Sequence, residues 1–131
     1  MIVVLDASAG LEVALNRENS DTIGNTLEKA AKVITSELYK AETANALWKY
    51  SVTGLLTKEE ALKRLRYCDD LIDEYIHISE NNDESLVEGI RTKHPVYDLL
   101  YLTIARRNGA MLLTQDKKLK NIAKENGIDT I

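Results

Sequence analysis

The chain alternates short, continuously apolar runs with longer segments in which apolar residues recur every three or four positions. The first run, Ile2–Leu5, is rich in β-branched residues and contains no polar position, which is typical of a strand covered on both faces. Comparable runs predict further strands at residues 32–35, 75–78, 110–114 and 128–131. Because these strands are apolar rather than alternating, they indicate a buried, mainly parallel sheet.

Helical patterns occupy the segments between these runs. Thr57 followed by Glu60 is a capping-box pattern, and single glycines such as Gly54 and Gly109 stand where helices are expected to end. The predicted helices span residues 9–16, 20–31, 37–53, 57–71, 83–91, 97–108 and 117–126. This alternation of strands and helices predicts an α/β domain with three layers, in which helices flank a mainly parallel central sheet.

Composition and charge narrow the classes of protein that fit. The 131 residues are 44% hydrophobic and contain no linker or repeat, so a single domain over residues 1–131 is expected. The net charge of −4 argues against binding nucleic acid through bulk positive charge. No run is long enough to span a membrane or to act as a leader, so we expect the mature chain to begin at Met1. Cys68, the one cysteine, rules out an internal disulfide and favours a cytoplasmic location.

Four acidic residues are predicted to lie at one edge of the sheet. Asp6 directly follows the first strand, and Asp116 follows the fourth. Glu42 lies in the second turn of the third helix, and Asp98 opens the sixth. The carboxyl ends of parallel strands meet the N-termini of the returning helices at a single edge, so we expect these carboxylates to lie close together.

The helices that carry Glu42 and Asp98 are mostly apolar, which predicts that these two carboxylates have little contact with solvent. Buried acids at one site raise one another's pKa unless a cation joins them. Mg²⁺ and Mn²⁺ prefer oxygen ligands, and such a site suits phosphodiester hydrolysis. The residues alone leave a second interpretation open, in which each acid caps a helix or faces solvent.

The segments around the four acids resemble the PIN-domain nucleases and, among these, the VapC-type toxins of toxin–antitoxin pairs. The resemblance extends over essentially the whole chain, and its motifs occur in the family's order. No single motif is specific, whereas the four together are. The matching segments are IVVLDAS at residues 2–8, ELYKAETANAL at 37–47, YDLLYLTIA at 97–105 and LLTQDKKL at 112–119.

The resemblance implies a site and an activity. It implies a Mg²⁺- or Mn²⁺-dependent endoribonuclease that acts on RNA, forms a homodimer and is inhibited by a VapB-type antitoxin protein. Ser8 and Thr114 would supply supporting hydroxyls, and Asn45 a nearby polar group. The residues implied to form the catalytic metal site are Asp6, Glu42, Asp98 and Asp116.

Other polar residues receive weaker assignments. Residues 93–96 do not match the family pattern, which leaves substrate contacts there undefined. His77 and His94 are isolated histidines, for which structural or solvent-facing roles are expected. With a negative net charge, we expect few phosphate contacts and a shallow salt dependence of RNA binding. The candidate phosphate contacts are Lys49, Arg106, Arg107, Lys117 and Lys118.

Two other classes of protein require acids that this chain lacks, and a third class remains open. A phosphohydrolase of the haloacid-dehalogenase type needs a second Asp two residues after the first, where this chain has Ser8. A receiver domain needs an Asp at the end of the third strand, and residues 75–79 supply none. A non-catalytic PIN-like binding module, whose acidic pocket receives a basic partner segment, remains the alternative function.

Overall fold

The computed structural model describes residues 1–131 and contains a four-stranded, fully parallel sheet between two layers of helices, as predicted. The strands are β1 (Ile2–Leu5), β2 (Lys32–Ser36), β3 (Glu74–Ile76) and β4 (Met111–Leu113). Their order in the sheet is β3-β2-β1-β4, so β1 is central. The register pairs Val3 with Val33 on one side and with Met111 on the other. The carboxyl ends of β1 and β4 therefore lie side by side.

Seven α-helices cover the two faces of the sheet. They are α1 (Ala7–Ala14), α2 (Ser20–Lys29), α3 (Leu38–Val52), α4 (Lys58–Asp70), α5 (Asn82–Thr92), α6 (Val96–Asn108) and α7 (Lys117–Glu125). Helix α1 packs against α2, α3 and α4, whereas α6 packs across β1, β2 and β4 with α5 and α7 beside it. None of these helices has the length and apolar character needed to cross a membrane. Helix α6 is the most deeply enclosed, since every residue from Leu99 to Ala105 is buried.

Helix α1 begins two residues earlier than the sequence pattern predicted, and no separate turn divides it from β1. The Asp6 side chain caps the helix, because its Oδ1 accepts a hydrogen bond of 2.9 Å from the Ala9 N–H. The next turn brings Gly10 against Tyr39, and a Cβ at that position would overlap the Tyr39 hydroxyl. The chain thus passes directly from strand to helix at Asp6.

Two predicted strands end differently in the structure. Strand β3 stops at Ile76 rather than at residue 78, because the Ile78 N–H donates to Glu37 Oε1 (3.0 Å) and the chain turns into a 3₁₀-helix. The predicted strand over residues 128–131 is wrong. Only a single bridge joins Thr130 to Leu112, whose N–H donates to the Asp129 carbonyl at 2.8 Å. Strand β4 is three residues long and offers little edge for a further partner.

A buried polar network fixes α6 against α5. Asn81 Nδ2 donates to the Leu100 carbonyl (2.9 Å) and to Thr103 Oγ1 (2.7 Å). Ser85 Oγ lies 3.0 Å from the same Thr103 hydroxyl. Buried polar groups are stable only where these hydrogen bonds form, so the network favours one position of α6 along its neighbour. The first turn of α6, which carries Asp98, is therefore held in register.

Candidate active site

Two of the four acids join a strand to a helix at the carboxyl edge of the sheet. Asp6 lies between β1 and α1, and Asp116 lies between β4 and α7. Asp116 Oδ1 accepts hydrogen bonds from the N–H groups of Lys118 (2.9 Å) and Leu119 (3.3 Å), so it also caps its helix. Because β1 and β4 are adjacent and parallel, the two caps open on the same side of the molecule.

Asp6 is held by the two hydroxyls that the resemblance singled out. Ser8 Oγ donates to Asp6 Oδ1 at 2.7 Å, and Thr114 Oγ1 donates to Asp6 Oδ2. The Thr114 hydroxyl also accepts a hydrogen bond of 3.0 Å from the Asp116 N–H. A single hydroxyl thus links the two capping acids.

The carboxylate of Asp6 is buried, with 5% of the residue exposed. Burial raises its pKa from 3.8 to about 6, against the opposing effect of hydrogen bonds from Thr114, Ser8 and Ala9, and the negative charge of Glu42 adds to the rise. The site therefore contains an acid whose ionised form is disfavoured although three donors surround it.

Glu42, in the second turn of α3, faces α6. The Tyr101 hydroxyl donates to Glu42 Oε1 at 2.6 Å, and Tyr101 is buried, with 1% exposed. Burial and the charge of Asp98 raise the pKa of Glu42, while the hydrogen bond from Tyr101 opposes the rise. Burial, together with Glu42, raises the pKa of Tyr101 well above the physiological range, so the phenol stays protonated and donates. Sequence reasoning did not assign Tyr101 to the site, although its spacing of three residues from Asp98 placed both on one face of α6.

Asp98, in the first turn of α6, contacts a histidine that sequence reasoning had given a structural or solvent-facing role. His94 Nε2 lies 2.9 Å from Asp98 Oδ2, and the His94 side chain is 8% exposed. One possible ligand atom from each of His94, Asp98 and Asp116 lies within 4.8 Å of the other two. Burial raises the pKa of Asp98, the contact with His94 opposes this rise, and the charge of Asp116 adds to it. The sequence feature that could have indicated His94 is its spacing of four residues from Asp98, with Pro95 between them.

The four predicted acids are not equally close to one another in the structure. Asp98 and Asp116 lie together with His94, whereas neither Asp6 nor Glu42 belongs to a group of three with the same close spacing. Charge interactions nevertheless link Asp6 to Glu42 and Glu42 to Asp98. No Lys or Arg forms an ion pair with any of the four. Buried and partly buried carboxylates without a Lys or Arg partner, beside one imidazole, form a donor set that fits a divalent cation.

An open cleft of about 400 Å³ adjoins Glu42. Asn45 and Lys49, one turn and two turns further along α3, line it with exposed side chains. Asn45 forms no hydrogen bond with the acids, so its contribution is to the wall of the cleft. Ser8 lines the opposite side, which places the cleft between α1 and α3.

Two of the five predicted phosphate contacts do not lie at this edge. Arg106 donates to Glu84 Oε1 (2.6 Å) and to Glu88 Oε1 (2.9 Å), and Arg107 Nε donates to Glu84 Oε2 (2.6 Å). Both arginines lie in the last turns of α6, about 12 Å along the helix axis from Asp98. Glutamates of α5 are thus the partners of Arg106 and Arg107 in this structure, and a role of these two arginines in phosphate contact stays a prediction.

Comparison with known proteins gives a consistent result. A family model described as PIN domain matches residues 3–125. The chain is 30% identical over 124 residues to Ribonuclease VapC3 of Pyrobaculum aerophilum, and this alignment covers 91% of the chain and 92% of that relative.

Solved structures show the same fold. The crystal structure of PAE2754 from Pyrobaculum aerophilum superposes with a TM-score of 0.75 and 24% identity, covering 99% of this chain and 83% of that one. The structure of VapBC2 from Rickettsia felis bound to a DNA fragment from their promoter gives a TM-score of 0.69 and 17% identity, with coverage of 100% and 98%. These likenesses agree with the family match over nearly the whole chain, and the protein belongs to the PIN domain family.

Proposed function

We propose that the protein is a metal-dependent endoribonuclease that hydrolyses RNA phosphodiester bonds, and that it is the cytoplasmic toxin of a VapBC-type toxin–antitoxin pair. The observation that carries the proposal is the cluster of acids at the carboxyl edge of the sheet, three of which have raised pKa values and none of which forms an ion pair with a Lys or Arg. The relative named Ribonuclease VapC3 supports RNA as the substrate.

The acids would hold the cofactor, Mg²⁺ or Mn²⁺. Asp98 and Asp116 offer the closest pair of carboxylates, and Asp6 and Glu42 extend the negative charge around them. A divalent cation bound there would neutralise charge on the phosphate and favour the hydroxide form of water, which is the chemistry that phosphodiester hydrolysis needs. The expected products carry a 5′-phosphate and a 3′-hydroxyl.

Residues around the acids would orient them and the substrate. Ser8 and Thr114 fix the rotamer of Asp6, and the protonated phenol of Tyr101 fixes Glu42. The cleft beside Glu42 offers a path for an RNA strand, with the ammonium group of Lys49 available to a phosphate. Asn45, on the same wall, can donate to a sugar or a base.

Two exposed apolar surfaces support the proposed protein partners. The outer face of α5 exposes Leu86, Val87 and Ile90, and a convex helix face of this kind suits a two-fold contact with a second copy of the chain. A groove of about 230 Å³ between α3 and α4 is bordered by Trp48 and Leu62 and suits an inserted apolar segment. We assign the α5 face to the homodimer and the groove to a VapB-type antitoxin, a partner suggested by the VapBC2 structure.

The test compares RNA cleavage by the wild-type chain, by Asp98→Asn and by Asp83→Asn. Asp83 is a matched control, because it is an exposed acid in the first turn of another helix. With structured RNA and Mn²⁺ or Mg²⁺, we expect wild type and Asp83→Asn to cleave and Asp98→Asn to be at least about 100-fold slower. EDTA should abolish cleavage by all three proteins.

Equal cleavage by wild type and Asp98→Asn, or cleavage that persists in EDTA, would overturn the proposal. The alternative function makes a different prediction. If none of the proteins cleaves RNA while a basic peptide binds wild type and not Asp98→Asn, the chain is a binding module that uses the acids to receive a basic segment.

A further inference from the structure

The backbone around His94 is restrained to one conformation by its neighbours in the turn between α5 and α6. Helix α5 ends with Lys93 in the left-handed region (φ 56°), and the His94 N–H donates to the Gly89 carbonyl at 3.1 Å. A Cβ at Gly89 would lie 2.9 Å from the His94 carbonyl oxygen, so a larger residue there would displace the turn. Pro95 then directly precedes Val96, the first residue of α6. Restraints on both sides therefore fix the point from which the imidazole projects.

The side chain of His94 projects into the acidic site. It is 8% exposed, and its Nε2 lies 2.9 Å from Asp98 Oδ2. Metal–ligand bonds of about 2.1 Å place neighbouring ligands of an octahedral site about 3.0 Å apart, so the observed distance matches a pair of adjacent ligands as well as a hydrogen bond. The possible ligand atoms of His94, Asp98 and Asp116 all lie within 4.8 Å of one another, so the three side chains meet at one place in the site.

We propose that His94 is a nitrogen ligand of the metal site, beside Asp98 and Asp116, and that it makes the site select Mn²⁺ over Mg²⁺. The proposal rests on the metal site of the proposed function and specifies its occupant. Mg²⁺ takes oxygen ligands almost exclusively, whereas first-row transition ions also accept imidazole nitrogen. A site made only of the four carboxylates would lack this preference.

A purely positioning role for His94 predicts a different response to substitution. In that role the imidazole would only donate a hydrogen bond that orients Asp98. A glutamine at position 94 can donate a similar hydrogen bond but offers no imidazole nitrogen. His94→Gln therefore separates the two roles. Loss of a ligand weakens Mn²⁺ binding selectively, whereas a positioning role leaves Mn²⁺ and Mg²⁺ binding to respond alike, both unchanged where glutamine replaces the hydrogen bond and both weakened where it does not.

The experiment is pulsed electron paramagnetic resonance of the full chain loaded with Mn²⁺, which detects ¹⁴N coupled to the metal. We expect ¹⁴N modulation in wild type and in His77→Gln, and none in His94→Gln. His77 is the matched control, because it is the other histidine of the chain and its side chain is 72% exposed. Titration should show Mn²⁺ binding weakened about tenfold or more in His94→Gln, with Mg²⁺ binding changed by less than about threefold.

The wild-type spectrum alone can overturn the proposal, so the test does not depend on the folding of a variant. Mn²⁺ that binds wild type without ¹⁴N modulation would show a metal site that His94 does not enter. An equal response of Mn²⁺ and Mg²⁺ binding to His94→Gln, whether both stay unchanged or both weaken, would assign the residue a positioning role instead. Failure of wild type to bind Mn²⁺ would remove the metal site itself, and with it the proposed function.

Discussion

Acids lie near both ends of α6, and the two groups are in opposite electrostatic states. At the N-terminal end, burial raises the pKa of Asp98, with a further rise from the charge of Asp116, and no Lys or Arg forms an ion pair with either. At the C-terminal end, hydrogen bonds from Arg91 and Arg106 lower the pKa of Glu88. Both regions bring acids together, but only the second supplies arginine partners from the chain itself.

This difference separates acids that stabilise the fold from acids available for chemistry. The glutamates of α5 have arginine partners, so their charge is neutralised within the domain. The acids at the sheet edge repel one another and lack such partners, so their negative charge is available to a cation from solution. Without that cation, the same acids should lower the stability of the fold.

The largest expected effect on stability comes from Asp6→Asn. A pKa raised from 3.8 to about 6 corresponds to about 3 kcal/mol of destabilisation of the ionised form at pH 7, and Asp6 is buried enough for this figure to apply. An asparagine removes the charge and can still cap α1, although it gives weaker hydrogen bonds. We expect the free energy of unfolding in EDTA at pH 7 to rise by about 1 to 3 kcal/mol, measured by urea denaturation.

The pH dependence of the stability difference between Asp6→Asn and wild type provides a control for this prediction. A folded-state pKa above the unfolded value means that the stability of wild type is full below about pH 4 and falls as the pH rises through about 6. The advantage of Asp6→Asn should therefore shrink as the pH is lowered from 7 and vanish below about 4. Asp83→Asn should leave stability unchanged. If Asp6→Asn unfolds more easily than wild type in EDTA at pH 7, burial and the nearby charge of Glu42 do not disfavour the ionised carboxylate of Asp6.

The acids could be placed from sequence because each has a local marker. Asp6 and Asp116 follow apolar runs that end as strands, and Glu42 and Asp98 lie in the first two turns of helices that return over the sheet. Parallel topology then brings strand ends and helix starts to one edge. The same logic predicted the three-layer fold, since the apolar runs could only pair as covered strands.

The remaining features depend on packing that no local pattern encodes. His94 reaches the site because Lys93 adopts a left-handed conformation and Gly89 permits a close approach of the turn. Arg106 and Arg107, predicted as phosphate contacts, pair with glutamates on α5, and this contact is set by how the two helices pack. Both cases involve residues outside the strand ends, where topology gives no guide to partners.

A smaller effect is expected at the C-terminal end of α6. Arg106→Met keeps the aliphatic part of the side chain but leaves Glu84 and Glu88 without their shared partner. Since Arg106 is about one-third exposed, we expect a loss of about 1 kcal/mol in the free energy of unfolding at pH 7. The pKa values of both glutamates are lowered by their arginines, so the contribution exists above their ordinary pKa of 4.5 and disappears as the pH falls below it.

The matched control is Arg66→Met on α4, because Arg66 is exposed and forms no ion pair. Its free energy of unfolding should equal that of wild type at every pH. Equal losses for Arg66→Met and Arg106→Met would show that the α5–α6 pairs add nothing specific, and the contrast between the two ends of α6 would then rest on the sheet edge alone.

The smallest effect concerns the salt dependence of RNA binding. It compares the lysines near the acidic site with the arginines that pair with α5. Each phosphate contact on a single strand contributes about −0.7 to the slope of log affinity against log salt concentration. With Lys49, Lys117 and Lys118 available at the sheet edge, we expect a slope near −2, measured by fluorescence anisotropy with the non-cleaving Asp98→Asn chain. Adding Lys49→Ala should reduce this slope by about 0.7, whereas adding Arg107→Ala should leave it unchanged, because Arg107 is bound to Glu84. A reduction by Arg107→Ala equal to that by Lys49→Ala would mean that RNA reaches both ends of α6, and the arginines would then belong to the substrate surface rather than to the scaffold.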